Sequence, residues 1–145
     1  MKIGIASDHR GFKLKEYIKN NLRNYELIDY GTYSEESVDY PDFAYKISKD
    51  VANNILNFGI TICGSGIGMS IACNKVKGIR CARVLSEEDA IITRKDNDAN
   101  IIALPENIEP QYAIKIIESF VETSTSLDER HVRRRNKLKQ IENEG

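Results

Sequence analysis

What most constrains this chain is its alternation: a short apolar run followed by a helix-spaced segment, repeated five times between Lys2 and Glu122. Lys2 to Ser7 is apolar and β-branched and ends in small polar residues, as a strand buried on both faces does. From Phe12 to Asn24 the positions Leu14, Tyr17, Ile18 and Leu22 recur at helical spacing, and Glu26 to Asp29 restores a strand pattern. The loop from Gly31 to Tyr40 leads to Pro41, a favoured first helical residue. The helix it opens carries Ala44, Ile47, Val51 and Ile55 on one face and is closed by Gly59. Ile60 to Cys63 predicts a third strand, followed by a glycine-rich turn and a helix from about Met69 to Asn74. Ile79 to Val84 predicts a fourth strand, and Ser86 caps a helix with acidic residues at its positive end that breaks between Asp96 and Asn100. Ile101 to Leu104 reads as a fifth strand, Pro110 opens a helix to Glu122, and Arg130 to Glu144 reads as a last, charged helix.

Strands alternating with helices call for a parallel sheet covered on both faces, and right-handed crossovers leave few topologies. The prediction is an α/β, Rossmann-like three-layer sandwich with a five-stranded parallel sheet plus a C-terminal helix, one domain over residues 1–145. In such sheets ligands bind beyond the carboxyl ends of the strands, where the strand order reverses. Asp8-His9 after the first strand and Cys63 to Gly68 after the third fall on that edge.

Composition narrows the function classes. Hydrophobic residues are 41% and charged residues 30% of the chain, which excludes disordered and fibrous assignments. No apolar run approaches the roughly 18 residues of a membrane span, and the first residues enter a strand instead of a secretion signal, so a cytoplasmic protein is expected. Three cysteines without a Cys-x-x-Cys pair indicate neither a disulfide framework nor a cysteine zinc site. With a net charge of −1 there is no global field for nucleic acid, so an anion must be met by a local cluster.

The most informative segment is Cys63-Gly64-Ser65-Gly66-Ile67-Gly68. Glycines at a strand-to-helix junction let backbone amides turn toward a ligand oxyanion. A thiol at such a junction meets amide dipoles and a helix start, which favour a thiolate; burial as plain packing is an equally good reading of Cys63 from spacing alone. The spacing Gly-x-Gly-x-Gly after a third strand departs from the dinucleotide fingerprint, and a P-loop lacks its Gly-Lys-Ser/Thr. The run Arg130 to Lys137 is the strongest positive cluster, with Arg130, Arg133, Arg134 and Lys137 on one helical face. By itself it reads first as a solvated face, second as a phosphate site and last as a nucleic-acid patch. His9 follows the first strand in a loop, a place suited to a ligand, while Cys73 and Cys81 read as structural.

Taken together, Ser7-Asp8-His9-Arg10-Gly11-Phe12, Asp39-Tyr40-Pro41, the Cys63 to Gly68 loop, Asn74-Lys75, Asn97-Asp98-Ala99-Asn100 and Arg130-His131 carry a resemblance. From Met1 to about Lys137 the chain resembles the ribose-5-phosphate isomerase B family, within the group that includes galactose-6-phosphate and allose-6-phosphate isomerases. The resemblance implies an aldose–ketose isomerase of the non-oxidative pentose phosphate pathway that needs no metal and no cofactor, acting on a phosphorylated sugar without membrane or nucleic acid. It implies a homodimer, with tetramers left open, whose active sites lie at the subunit interface. Cys63 is then the base and Ser65 orients the substrate, while the amides of Gly64, Gly66, Ile67 and Gly68 hold the enediolate oxygen. Asp8, Tyr40 and Asn97 bind sugar hydroxyls, and His9, Arg130 and Arg134 hold the phosphate.

One position departs from that pattern. The residue before Asn97, commonly a histidine thought to open the furanose ring, is Asp96 here. A carboxylate of ordinary strength accepts a proton at neutral pH but rarely donates one. Two other expectations therefore stand beside a ribose 5-phosphate isomerase: a hexose-6-phosphate isomerase, and a sugar-phosphate-binding module without activity.

Overall fold

The computed structural model describes residues 1–144. Five parallel strands, β1 (Lys2–Ser7), β2 (Glu26–Asp29), β3 (Phe58–Cys63), β4 (Cys81–Arg83) and β5 (Ile101–Pro105), form one sheet in the order β2-β1-β3-β5-β4. Their connections are α1 (Phe12–Asn21), α2 (Tyr40–Ala52), α3 (Ile67–Asn74) and α4 (Glu87–Asn97), with α5 (Pro110–Glu122) and α6 (Glu129–Glu144) after the last strand. This is the doubly wound α/β sandwich with a C-terminal helix that the alternation dictates.

Period-two alternation along the central strands builds two cores. Ile3, Ile5, Ile60, Ile62, Ile102 and Leu104 face α1, α4 and α5. The intervening Ala6, Cys63, Ile101 and Ala103 pack with α2 and α3. The second face is built of smaller residues, and the helices come close to it. A Cβ on Gly4 would lie 2.6 Å from the Leu56 side chain, and one on Gly59 3.2 Å from Ile47. Gly59 thus serves close sheet–helix packing inside β3 instead of closing the preceding helix.

Several boundaries differ from the sequence expectation. Helix α2 stops at Ala52, and Asn54 takes a positive φ of 61°; Ile55 is thrown outward, and Leu56 fills the core in its place. Helix α1 ends at Asn21, short of Asn24, and α3 begins at Ile67, a turn-half earlier than Met69. Strand β4 pairs only over Cys81–Arg83, since it is an edge strand with a single neighbour. Helix α4 is as read: Ser86 Oγ accepts the Asp89 amide at 3.1 Å, and Asp98, left-handed at φ 50°, ends it. Helix α6 has no fully buried residue and follows the amino-end edge of the sheet, bonded to the end of α4 and, through Glu142, to Gly78.

Candidate active site

The strand order reverses between β1 and β3: α1 leaves toward β2 on one face and α3 leaves on the other. An open cleft of about 590 Å3 lies beyond their carboxyl ends, lined by Asp8, Arg10, Tyr40, Cys63, Ser65 and the 64–68 loop, with Ile71 at its side. A second hollow, of about 420 Å3, lies under α6 and includes Asn97 but touches none of these cleft residues.

Each side chain in the cleft is held by its own local cause. Cys63 ends β3, 5% exposed, and its Sγ accepts the Gly66 amide at 3.2 Å. That turn is possible because Gly66 is left-handed, at φ 78°, with Leu104 and Pro105 backbone atoms 3.1 Å from where a Cβ would stand. Ser65 Oγ accepts the Ile67 amide at 3.1 Å. Two of the loop amides expected to face a ligand are therefore used within the loop. The amides of Ser65 and Gly68 have no hydrogen-bond partner among the described residues. The Tyr40 ring lies on Gly68, where an added Cβ would stand 2.8 Å from its Cζ. Asp8 is buried, and its Oδ1 accepts the amides of Arg10 and Gly11, each at 3.0 Å, so this oxygen shapes the turn into α1. His9 is oriented by the Val38 amide, which donates to Nδ1 at 3.2 Å; that bond requires Nδ1 to be the unprotonated ring nitrogen.

Two arginines that carried no assigned role in the sequence flank this loop. Arg10 donates from Nε to Glu106 at 2.9 Å, and its guanidinium lies over Gly64. Arg83 donates from Nε to the Ser65 carbonyl at 2.7 Å. Arg10 stands inside the Ser7 to Phe12 segment, but its tie to Glu106 joins positions 96 residues apart and is invisible in the chain.

The remaining expected residues are elsewhere. Asp96 and Asn97 end α4, which runs back from the carboxyl edge to the amino edge; Asn100, just beyond, accepts the Gly59 amide at the start of β3. Arg130 and Arg134 are exposed on α6 along the same amino edge, and Arg130 pairs with Asp128. A six-residue strand, roughly 20 Å of sheet, separates this group from Cys63 in one chain. The reading that put Cys63 and Asp8 on the carboxyl edge from strand order is a placement the fold reproduces; Asp96, Asn97, Arg130 and Arg134 do not join them there.

A sequence profile of the Ribose/Galactose Isomerase family matches residues 3–138. The chain belongs to this family. Among its members, the ribose-5-P isomerase B of Listeria innocua is 38% identical over 129 residues, 87% of each chain. The ribose-5-phosphate isomerase B structure from Clostridium thermocellum superposes with a TM-score of 0.94 at 44% identity, covering 99% of both chains. That from Mycoplasma genitalium, solved with bound ribulose-5-phosphate, gives 0.92 at 37% identity over 99% of this chain and 97% of the other. The family thus shares this chain's whole sandwich, α6 included. Among the described residues, no helix is long and apolar enough to cross a membrane, and no three His, Cys, Asp or Glu side chains gather where they would hold a metal ion.

Proposed function

We propose that this protein interconverts ribose 5-phosphate and ribulose 5-phosphate through an enediolate, at a site shared by two copies of the chain. The observation that carries the reading is the Cys63 loop, a buried thiol at the carboxyl end of the central strand opening on a cleft sized for a phosphorylated pentose. A relative of the same fold with bound ribulose-5-phosphate supports the choice of a pentose. Cys63 Sγ takes the C2 proton of the open-chain aldose and returns it to C1. The charge that develops on the oxygens is met by the free amides of Ser65 and Gly68, and the Ser65 hydroxyl orients the sugar. Asp8, through its second carboxylate oxygen, and Tyr40 bind hydroxyls. His9 holds the phosphate together with the partner subunit's Arg130 and Arg134, and the partner subunit's Asn97 reaches a hydroxyl. The shared site is supported by the separation within one chain: Cys63 and the arginines lie on opposite edges of the sheet, so one copy does not bring both to a single sugar.

The test is ketose formation by purified protein, with chelator present, from ribose 5-phosphate and in parallel from allose 6-phosphate and galactose 6-phosphate. Turnover of the pentose, lost by about a hundredfold or more in a folded Cys63→Ala variant, is the expected result. Turnover of a hexose phosphate alone would change the substrate and keep the mechanism. Binding of all three without turnover would leave a binding module.

A further inference from the structure

The glycine loop is held from outside through its carbonyls, and the way it is held bears on the sulfur. In a trans peptide the N–H points opposite to the C=O, so a group that fixes one carbonyl also aims the next residue's amide. Both peptides that follow Gly64 and Ser65 are trans. The Glu106 amide donates to the Gly64 carbonyl at 3.2 Å, which turns the Ser65 amide the other way. Arg83 Nε donates to the Ser65 carbonyl at 2.7 Å. The amide of that same peptide belongs to Gly66, and it donates to Cys63 Sγ at 3.2 Å. A guanidinium on β4 is joined in this way to the thiol at the end of β3 through a single peptide group.

A second guanidinium meets the loop, but its charge is offset. Arg10 lies over Gly64 and pairs with the Glu106 carboxylate, 2.9 Å from Nε. Arg83 has the Ser65 carbonyl as its one hydrogen-bond partner among the described residues, and none of their carboxylates pairs with it. The other titratable groups around Cys63 are Asp8 from the β1–α1 turn, Tyr40 from α2, Cys73 from α3 and Cys81 from β4. None of these donates to either loop carbonyl, and the Asp8 carboxylate opposes a negative sulfur. Arg83 is therefore the uncompensated cation of the loop. An ionised donor polarises the carbonyl it meets more than a neutral one does, and hydrogen bonds in a chain strengthen one another. The Gly66 amide then presents more positive charge to Sγ than an unassisted amide would, and that charge favours thiolate over thiol.

From this line of contacts we infer that Arg83 is a positioning residue for the isomerisation, acting through the Ser65–Gly66 peptide to hold Cys63 in the ionised form that takes the C2 proton. The inference rests on the reading of Cys63 as the base. Arg83 is exposed and does not line the cleft, so it works at one remove from the reacting carbons. It gives up no proton; what changes with it is the balance of thiol and thiolate at a given pH. That balance is measurable with no sugar present, which separates the role of Arg83 from the identity of the substrate.

Alkylation by iodoacetamide over a pH series, followed by mass spectrometry of the peptide that carries Cys63, reads this thiolate apart from Cys73 and Cys81. Arg83→Met keeps a long side chain and removes its charge. It should move the pH midpoint of alkylation up by about half a unit or more and leave the rate on the alkaline plateau within about twofold of the parent protein. Arg83→Lys keeps a cation able to reach the Ser65 carbonyl and should bring the midpoint back toward the parental value. The acid limb of kcat for ketose formation should move with the alkylation midpoint, with KM within about twofold. An unmoved midpoint in Arg83→Met, a plateau that falls while the midpoint stays, or an Arg83→Lys protein no better than Arg83→Met would each overturn the role of Arg83, as would a rise in KM alone. A shifted midpoint in a protein that turns over no sugar phosphate would instead overturn the isomerase reading and leave the link between Arg83 and the thiol standing.

Discussion

Cys63 illustrates how a residue's chemistry depends on its neighbours' conformations. The thiol points at the Gly66 amide because the chain passes through a left-handed turn there, and Gly66 tolerates that turn where a β-carbon would meet the Leu104–Pro105 backbone. Gly66→Ala should cost about 1–3 kcal/mol in stability from the strained dihedrals alone, and turnover should fall further because the loop moves off Cys63. Urea midpoints read beside kcat check both effects; an unchanged midpoint would mean the turn relaxes freely. At this scale the sequence already placed Cys63, Ser65 and the loop glycines together, since they are contiguous. It said nothing of Arg10 over Gly64 or Arg83 on the Ser65 carbonyl, because those contacts join separate strands.

Among the elements, the junction of α1 with β2 carries the heaviest burden of buried charge. Lys15 is fully buried on α1, and its ammonium group donates to both oxygens of Asp29, at 2.9 and 2.8 Å, and to Glu16 at 2.9 Å. Burial pushes the Asp29 carboxyl up, but hydrogen bonds from Lys15, Lys19 and the Gly31 amide outweigh it and hold the group below the usual carboxylate range. A carboxyl lowered in the folded state stabilises the fold above its unfolded pKa of about 4, and that stability is lost as pH falls through the folded value. Asp29→Asn should therefore destabilise by about 3 kcal/mol near neutrality, because the buried Lys15 ammonium group is left with Glu16 as its one carboxylate partner. The gap to the parent protein should narrow at acid pH, and urea unfolding at about pH 7 and about pH 3 reads the difference. A gap that stays constant would show that the carboxyl does not titrate differently on folding. The sequence showed Lys15 as one more polar position on a helix, because a buried lysine is recognisable only once its carboxylate partner is placed beside it.

For the whole molecule, the decisive feature is that two groups of polar residues sit on opposite edges of one sheet. If sites are shared between copies, mixing Cys63→Ala with Arg134→Ala protein should restore activity at substrate far below the parental KM, where the Arg134→Ala protein is itself weak: each mixed dimer holds one intact site, giving about a quarter of the parental rate on random exchange. No gain above the separate variants would refute sharing. Arg134→Ala alone should chiefly raise KM, as loss of a phosphate contact does when it binds substrate and transition state alike. The sequence by itself determined the class of fold, the five strands and the edge on which Asp8 and Cys63 lie, because periodicity and the right-handed crossover are local rules that the chain obeys segment by segment. It also carried enough contiguous pattern to mark the family. Tertiary structure alone decided that Ile55 yields its core place to Leu56, that Arg10 and Arg83 brace the glycine loop, and that Asp96 faces His131. It alone put α6 at the far edge from Cys63, for each of these is set by which non-adjacent surfaces meet when two helical layers close on one sheet, a packing outcome with no linear signal.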